Sequence, residues 1–140
     1  MSPRVLLDTG PLVALLNRRD RFHPWAKARM SELASPLFTC EPVLAEACFL
    51  LRASPDGAAA VLELLERGVL TVAFQLAPHA GTLAALMAKY ADVPMSLADA
   101  CLVRMSELDE KSAVLTVDGD FLLYRRRGRQ VIPTMLPPDR

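Results

Sequence analysis

The chain is short of the residues that usually announce a binding or catalytic site. Of its 140 residues two are histidines, His23 and His79, three are cysteines, and 6% are aromatic. The histidines do not stand at paired-ligand spacing and no cysteine pairs flank them, so a zinc site is not expected. Cys40, Cys48 and Cys101 are odd in number, widely separated and set among apolar neighbours. That pattern fits reduced core thiols and a reducing cytoplasm, not a disulfide framework. Gly10 and Gly119 stand singly, in neither a Walker-type loop nor a dinucleotide fingerprint, so no nucleotide cofactor is indicated. An excess charge of either sign is also missing: sixteen Lys and Arg balance sixteen Asp and Glu. No global field draws the protein to nucleic acid, which argues against a histone-like binder. Neutrality leaves open an enzyme that meets phosphate through bound cations, because such ions are not counted in the sequence. No apolar run approaches a membrane span, and Val5-Leu6-Leu7 is too short for the apolar part of a signal peptide.

What the chain does have is apolar content, 52% of residues, enough for a packed core in one domain over residues 1–140. Val5-Leu6-Leu7 is an apolar run stopped by Asp8-Thr9-Gly10-Pro11, a buried strand turning at once into a helix with Pro11 in its first turn. Helices are expected to follow at about 12–16 and 23–34, then a strand at 37–40 and an apolar helix at 43–53. Pro55-Asp56-Gly57 separates that helix from another at 58–67. A β-rich run at 69–74 and a helix at 78–91 come next. Ser96 opens a helix reaching 107 or 108, and Ala113-Val114-Leu115-Thr116-Val117 is the clearest buried strand. It ends at Asp118-Gly119-Asp120, ahead of a short helix at 121–124, a basic loop and a last weak strand at 131–132. Strands that are apolar throughout, alternating with helices, indicate an α/β fold whose parallel sheet is covered on both faces. In such sheets the ligand crevice lies beyond the carboxyl ends of the strands, where Asp8 and Asp118 fall.

Four acids stand out, and each has a competing local explanation of different strength. Asp8 can serve only as a helix cap, and Asp118-Gly119 can be only a turn. In Ser96-Leu97-Ala98-Asp99 the acid sits at the third helical position of a capping box. Asp99 is nonetheless followed by Leu102 and Val103 on a face expected to be buried. Glu46 lies inside its helix with no capping role, between Val43 and the pair Phe49 and Leu50 on one apolar face. Carboxylates among apolar side chains cost several kcal/mol unless compensated, and no Lys or Arg at adjoining helical positions pairs with Glu46 or Asp99. A divalent cation would compensate all four together. Oxygen ligands without His or Cys suit Mg²⁺ or Mn²⁺. Such a site is fit for phosphodiester hydrolysis, since the ion acidifies a bound water and stabilises charge on the attacked phosphate, with no side-chain nucleophile required. An aspartyl-phosphate phosphatase is disfavoured, because the second acid expected two residues after Asp8 is replaced by Gly10.

Four segments together resemble the PIN-domain ribonucleases, in particular the VapC-like toxins of type II toxin–antitoxin systems. They are Val5-Leu6-Leu7-Asp8-Thr9-Gly10-Pro11-Leu12, Pro42-Val43-Leu44-Ala45-Glu46, Ser96-Leu97-Ala98-Asp99-Ala100 and Leu115-Thr116-Val117-Asp118-Gly119-Asp120-Phe121. Each is short, but their order and spacing are specific, and the similarity covers nearly the whole chain. The resemblance implies a three-layer α/β/α PIN-like fold with a five-stranded parallel sheet of order 3-2-1-4-5. It implies that Asp8, Glu46, Asp99 and Asp118 bind Mg²⁺ or Mn²⁺ and carry catalysis, supported by the hydroxyls of Thr9 and Thr116 and by an additional acid, Asp120. It further implies an RNA substrate, a homodimer and a cognate antitoxin laid across the active-site groove.

Arg125, Arg126, Arg127 and Arg129 form the densest basic run and are candidates for tracking an RNA backbone or meeting a partner, against the plain alternative of a solvated loop. Arg18, Arg19 and Arg21 make a second candidate rim. Trp25, Met30 and Leu33 share a helical stripe best explained by core packing. The expected activity is metal-dependent endonucleolytic cleavage of RNA, by the toxin of a pair. The competing readings are a solitary nuclease of the same fold, a DNA-directed one, and a non-catalytic RNA- or protein-binding module.

Overall fold

The computed structural model describes residues 3–138. Seven strands and six helices follow one another as β1 (Val5–Leu7), α1 (Thr9–Leu16), α2 (His23–Glu32), β2 (Leu37–Thr39), α3 (Glu41–Leu50), α4 (Gly57–Glu66), β3 (Leu70–Val72), α5 (Ala80–Lys89), α6 (Leu97–Leu108), β4 (Ala113–Leu115), β5 (Arg125–Arg126), β6 (Gln130–Val131) and β7 (Thr134–Met135). Single 3-10 turns precede α5, at Ala77–His79, and follow β4, at Gly119–Leu122.

The main sheet has five parallel strands in the order β3-β2-β1-β4-β7. Its central strands carry no polar alternation because helices cover the sheet on both sides. Val5, Leu6 and Leu7 of β1 and Ala113, Val114 and Leu115 of β4 are all buried, as expected when neither face meets water. The register sets Leu7 beside Leu115, so both central strands end at one level. The ladder runs one step further, with the Asp8 amide donating to the Leu115 carbonyl at 3.0 Å. α6 lies against β1 and β4 and also meets α3 and α5, while α1 packs on α2 and α3. Two acid-bearing helices therefore adjoin the end of the central strand pair.

The fifth strand of the sheet is not the segment at 131–132. Gln130–Val131 pairs antiparallel with Arg125–Arg126 in a separate two-stranded ribbon. Its turn is made by Arg127 and Gly128, both with positive φ, 52° and 78°. Pro133 then breaks the path, since it has no N–H to donate to a ladder. Its carbonyl still accepts from Val114 at 2.9 Å, and sheet pairing resumes at Thr134 beside Val114. The expected topology stands, with the edge place filled by residues 134–135. Other boundaries move by a few residues. α3 starts at Glu41, because Pro42 fits a first helical turn, and the expected helix at 121–124 is the 3-10 turn. Trp25, Met30 and Leu33 pack on the core. Cys40 and Cys101 are buried free thiols and Cys48 is a half-buried one. Among the described residues no helix is long and apolar enough to cross a membrane.

Candidate active site

Asp8 occupies the point where β1 ends and α1 begins, and the expected cap is realised. As N-cap of α1 it accepts from the Thr9 amide through Oδ1 at 2.8 Å. Through Oδ2 it accepts from the Thr116 hydroxyl at 2.7 Å. The same hydroxyl accepts from the Asp118 amide at 2.9 Å. One threonine just past β4 thus joins the acid after β1 to the loop carrying Asp118. Asp118 in turn accepts from the Asp120 amide at 2.8 Å, an Asx turn that opens the 3-10 turn and places Asp120 beside the cluster.

Asp99 sits in the first turn of α6. Ser96 and Asp99 form the expected capping box, and Asp99 Oδ2 also accepts from the Tyr124 hydroxyl at 2.8 Å. Leu102 and Val103, the next residues on its face, are fully buried. Glu46 reaches the group from α3, where Oε2 accepts from the Thr9 hydroxyl at 3.1 Å. Thr9 therefore serves two acids, by its amide and by its hydroxyl. Asp8, Glu46, Asp99, Asp118 and Asp120 all line one cleft beyond the strand ends.

Glu46 corrects the sequence expectation. It is exposed, as are Phe49 and Leu50, at 61% and 55%. Val43 is buried, but the part of that face from Glu46 onward looks outward at the cleft rim, so the desolvation argument does not apply to Glu46. It applies to Asp8, the acid for which a cap had seemed sufficient. Asp8 is 5% exposed, and burial pushes its carboxyl up to about 7, against the lowering by the Thr116 and Thr9 bonds and aided by the charges of Asp99 and Asp118. Asp99 is also raised, first by burial, while the Tyr124 and Ser96 bonds pull it down. Asp120 is raised by burial, then by the charges of Asp118 and Asp99.

Five carboxylates meet in a cleft with no Lys, Arg or His among its described lining residues. Such a set lacks a counter-charge, which a divalent cation would supply. Among the described residues no three acid, His or Cys side chains are already gathered as direct ligands of one ion. The donors fit Mg²⁺ or Mn²⁺ all the same, because a hard octahedral ion keeps several waters and takes only one or two carboxylates directly.

Several neighbours of the acids carried no signal in the sequence. Leu50, Pro94 and Val117 form apolar parts of the cleft wall. Gly10 allows α1 to approach the Asp118 loop, because a Cβ there would overlap the Val117 side chain. Tyr124 is fully buried and forms edge-on ring contacts with Tyr90 and Phe121.

Three arginines of the basic run are engaged by the protein itself. Arg126 is buried and donates to the carbonyls of Ser106 and Glu110 at 3.1 and 2.8 Å. Arg127 is exposed but pairs with Glu110 and donates to the Glu107 carbonyl. Arg125 donates to the carbonyls of Leu122, Leu123 and Tyr124. Helix and turn ends leave carbonyls without partners, and arginines supply the donors. Arg126 is thus a clamp on the end of α6; Arg129 remains exposed. Of the other rim, Arg18 and Arg19 are exposed, and Arg21 lies over the Phe22 ring.

A parallel sheet of this order, with acids from the ends of β1 and β4 and from two helices converging on one cleft, defines a known family. The chain belongs to the PIN domain family, which matches residues 5–126. Among solved structures, its fold is similar to that of the Mycobacterium tuberculosis toxin VapC20, described as cleaving the sarcin-ricin loop. The TM-score is 0.75 at 23% identity, over 83% of this chain and 91% of that one. Compared by sequence with curated proteins, the chain matches none.

Proposed function

We propose that the protein is a Mg²⁺- or Mn²⁺-dependent endoribonuclease and the toxin of a toxin–antitoxin pair, acting as a homodimer. The observation that carries this reading is Asp8, a carboxylate buried against its own charge in a cleft of five acids with no Lys, Arg or His among its described lining residues. Membership of the PIN domain family and the likeness of fold to a VapC toxin support it. Asp8, Asp99, Asp118 and Glu46 hold the ion, directly or through its waters, with Asp120 as an additional acid. When bound, the ion makes water nucleophilic at neutral pH and stabilises charge on the phosphate.

The protein's own residues do the rest. Thr116 and the Thr9 amide hold both oxygens of Asp8, fixing its plane. Thr9 orients Glu46 from the opposite wall. Glu46, exposed on the rim, would hold the ion through a water and take that water's proton, while Asp8, Asp99 and Asp118 would bind from inside the cleft. Leu50, Pro94 and Val117 limit solvent on the wall.

Purified protein is expected to cleave single-stranded RNA with Mn²⁺ or Mg²⁺ and to stop with EDTA or on Asp8→Asn. Undiminished cleavage by that variant would refute the site. A parallel DNA substrate separates an RNA-directed enzyme from a general nuclease. Light scattering decides the dimer. A neighbouring reading frame encoding a DNA-binding segment with a flexible tail, whose product suppresses cleavage on co-expression, supports the toxin assignment; its absence favours a solitary nuclease.

A further inference from the structure

We infer that Tyr124 is a positioning residue for the metal centre, holding Asp99 by one oxygen so that the carboxylate presents the other to the ion. The inference rests on the metal-nuclease reading. Its basis is the way Asp99 is bound. The Tyr124 hydroxyl donates to Oδ2 at 2.8 Å, and the Ser96 amide approaches the same oxygen at 3.4 Å. Both donors converge on Oδ2, while the carboxylate lines the cleft. The capping box alone fixes Asp99 weakly, because its amide contact is long.

Tyr124 is well placed to do better. Its ring is fully buried, with Tyr90 and Phe121 each edge-on at 5.1 Å. Its amide donates to the Asp120 carbonyl at 3.1 Å. The hydroxyl position is therefore set by the loop that carries Asp118 and Asp120. Tyr124 thus links the acids after β4 to the acid on α6. A buried phenol with a structural role alone needs only some acceptor. Here the acceptor is a carboxylate of the cluster, and a partner one step behind a metal ligand sets the ligand's orientation.

Tyr90 supplies the control. It belongs to the same aromatic cluster, but its hydroxyl accepts from the Arg125 amide at 2.9 Å and touches no acid. The experiment titrates Mn²⁺ into wild type, Tyr124→Phe and Tyr90→Phe at pH 8. Free Mn²⁺ is followed by electron paramagnetic resonance, and melting curves are recorded for each protein without metal. Tyr124→Phe is expected to weaken Mn²⁺ binding about tenfold or more, while Tyr90→Phe keeps wild-type affinity even where its melting point falls as far. Wild-type affinity in Tyr124→Phe overturns the inference, and so does an equal loss in both variants. If wild type itself binds no Mn²⁺, the metal-nuclease reading fails first and the positioning role with it.

Discussion

Replacing Asp8 with Asn should make the metal-free protein more stable at pH 8 while abolishing its activity. Asp8 is raised from its ordinary 3.8 to about 7 in the folded chain. Between these values the folded state holds a proton that the unfolded state has released. Stability therefore falls as pH rises through this window, and the full penalty stands above pH 7. A gap of about three units corresponds to about 4 kcal/mol. Asparagine removes the charge and keeps the shape. Its carbonyl oxygen can take the Thr9 amide, but its NH₂ then faces the Thr116 hydroxyl, which loses its acceptor at a cost of about 1 kcal/mol. The net gain at pH 8 is about 3 kcal/mol, a rise in melting point of about 10 °C for a chain of this size. At pH 4.5 the folded acid is already protonated and the unfolded one only newly ionised. The penalty there is about 1 kcal/mol, and the lost hydrogen bond cancels it. Urea unfolding in EDTA at both pH values measures the difference. A gain of equal size at pH 4.5 and 8, or a loss at pH 8, refutes the claim that Asp8 is held against its charge. With Mn²⁺ added, wild type should recover stability through binding to the folded state, and Asp8→Asn should respond far less.

Other substitutions separate binding from folding. Glu46→Gln, at an exposed position, should leave the melting point within about 2 °C yet reduce the RNA cleavage rate about 100-fold, as a kinetic assay at saturating Mn²⁺ will show. Thr116→Val deletes the hydroxyl between Asp8 and the Asp118 amide, and calorimetry should find Mn²⁺ affinity about 10-fold lower or worse. Gly10→Ala should destabilise by about 1–3 kcal/mol through overlap with Val117, read by urea unfolding. Arg126→Ala should cost about 1–3 kcal/mol by leaving the buried Ser106 carbonyl unpaired and the part-buried Glu110 carbonyl without its donor, whereas Arg129→Ala should leave stability unchanged. An unfolding midpoint for Arg126→Ala equal to wild type would show that the clamp contributes nothing.

Much of this protein is determined by its sequence alone. The apolar runs at 5–7 and 113–117 mark central strands because only a sheet covered on both faces tolerates such runs. The acids directly after them must lie at the strand ends, since the turn into the next element begins there. The capping box of Ser96 and Asp99 is likewise local chemistry, set by a spacing of three residues. The tertiary structure decided what depends on which face looks outward. Glu46 shares a helix face with Phe49 and Leu50, and periodicity assigns them one side without saying whether that side is covered; here it is the open rim of the cleft. Burial of Asp8 arises from the meeting of β1, β4 and α1, more than a hundred residues apart in sequence at the Thr116 contact. The arginine run looked like a surface for phosphate because sequence counts charges but not carbonyls; the fold brings the end of α6 against it and uses three of its four members as clamps. Tyr124 has the same origin. Nothing local distinguishes it from a core aromatic, and its role exists only because the turn after Asp118 returns its hydroxyl to Asp99.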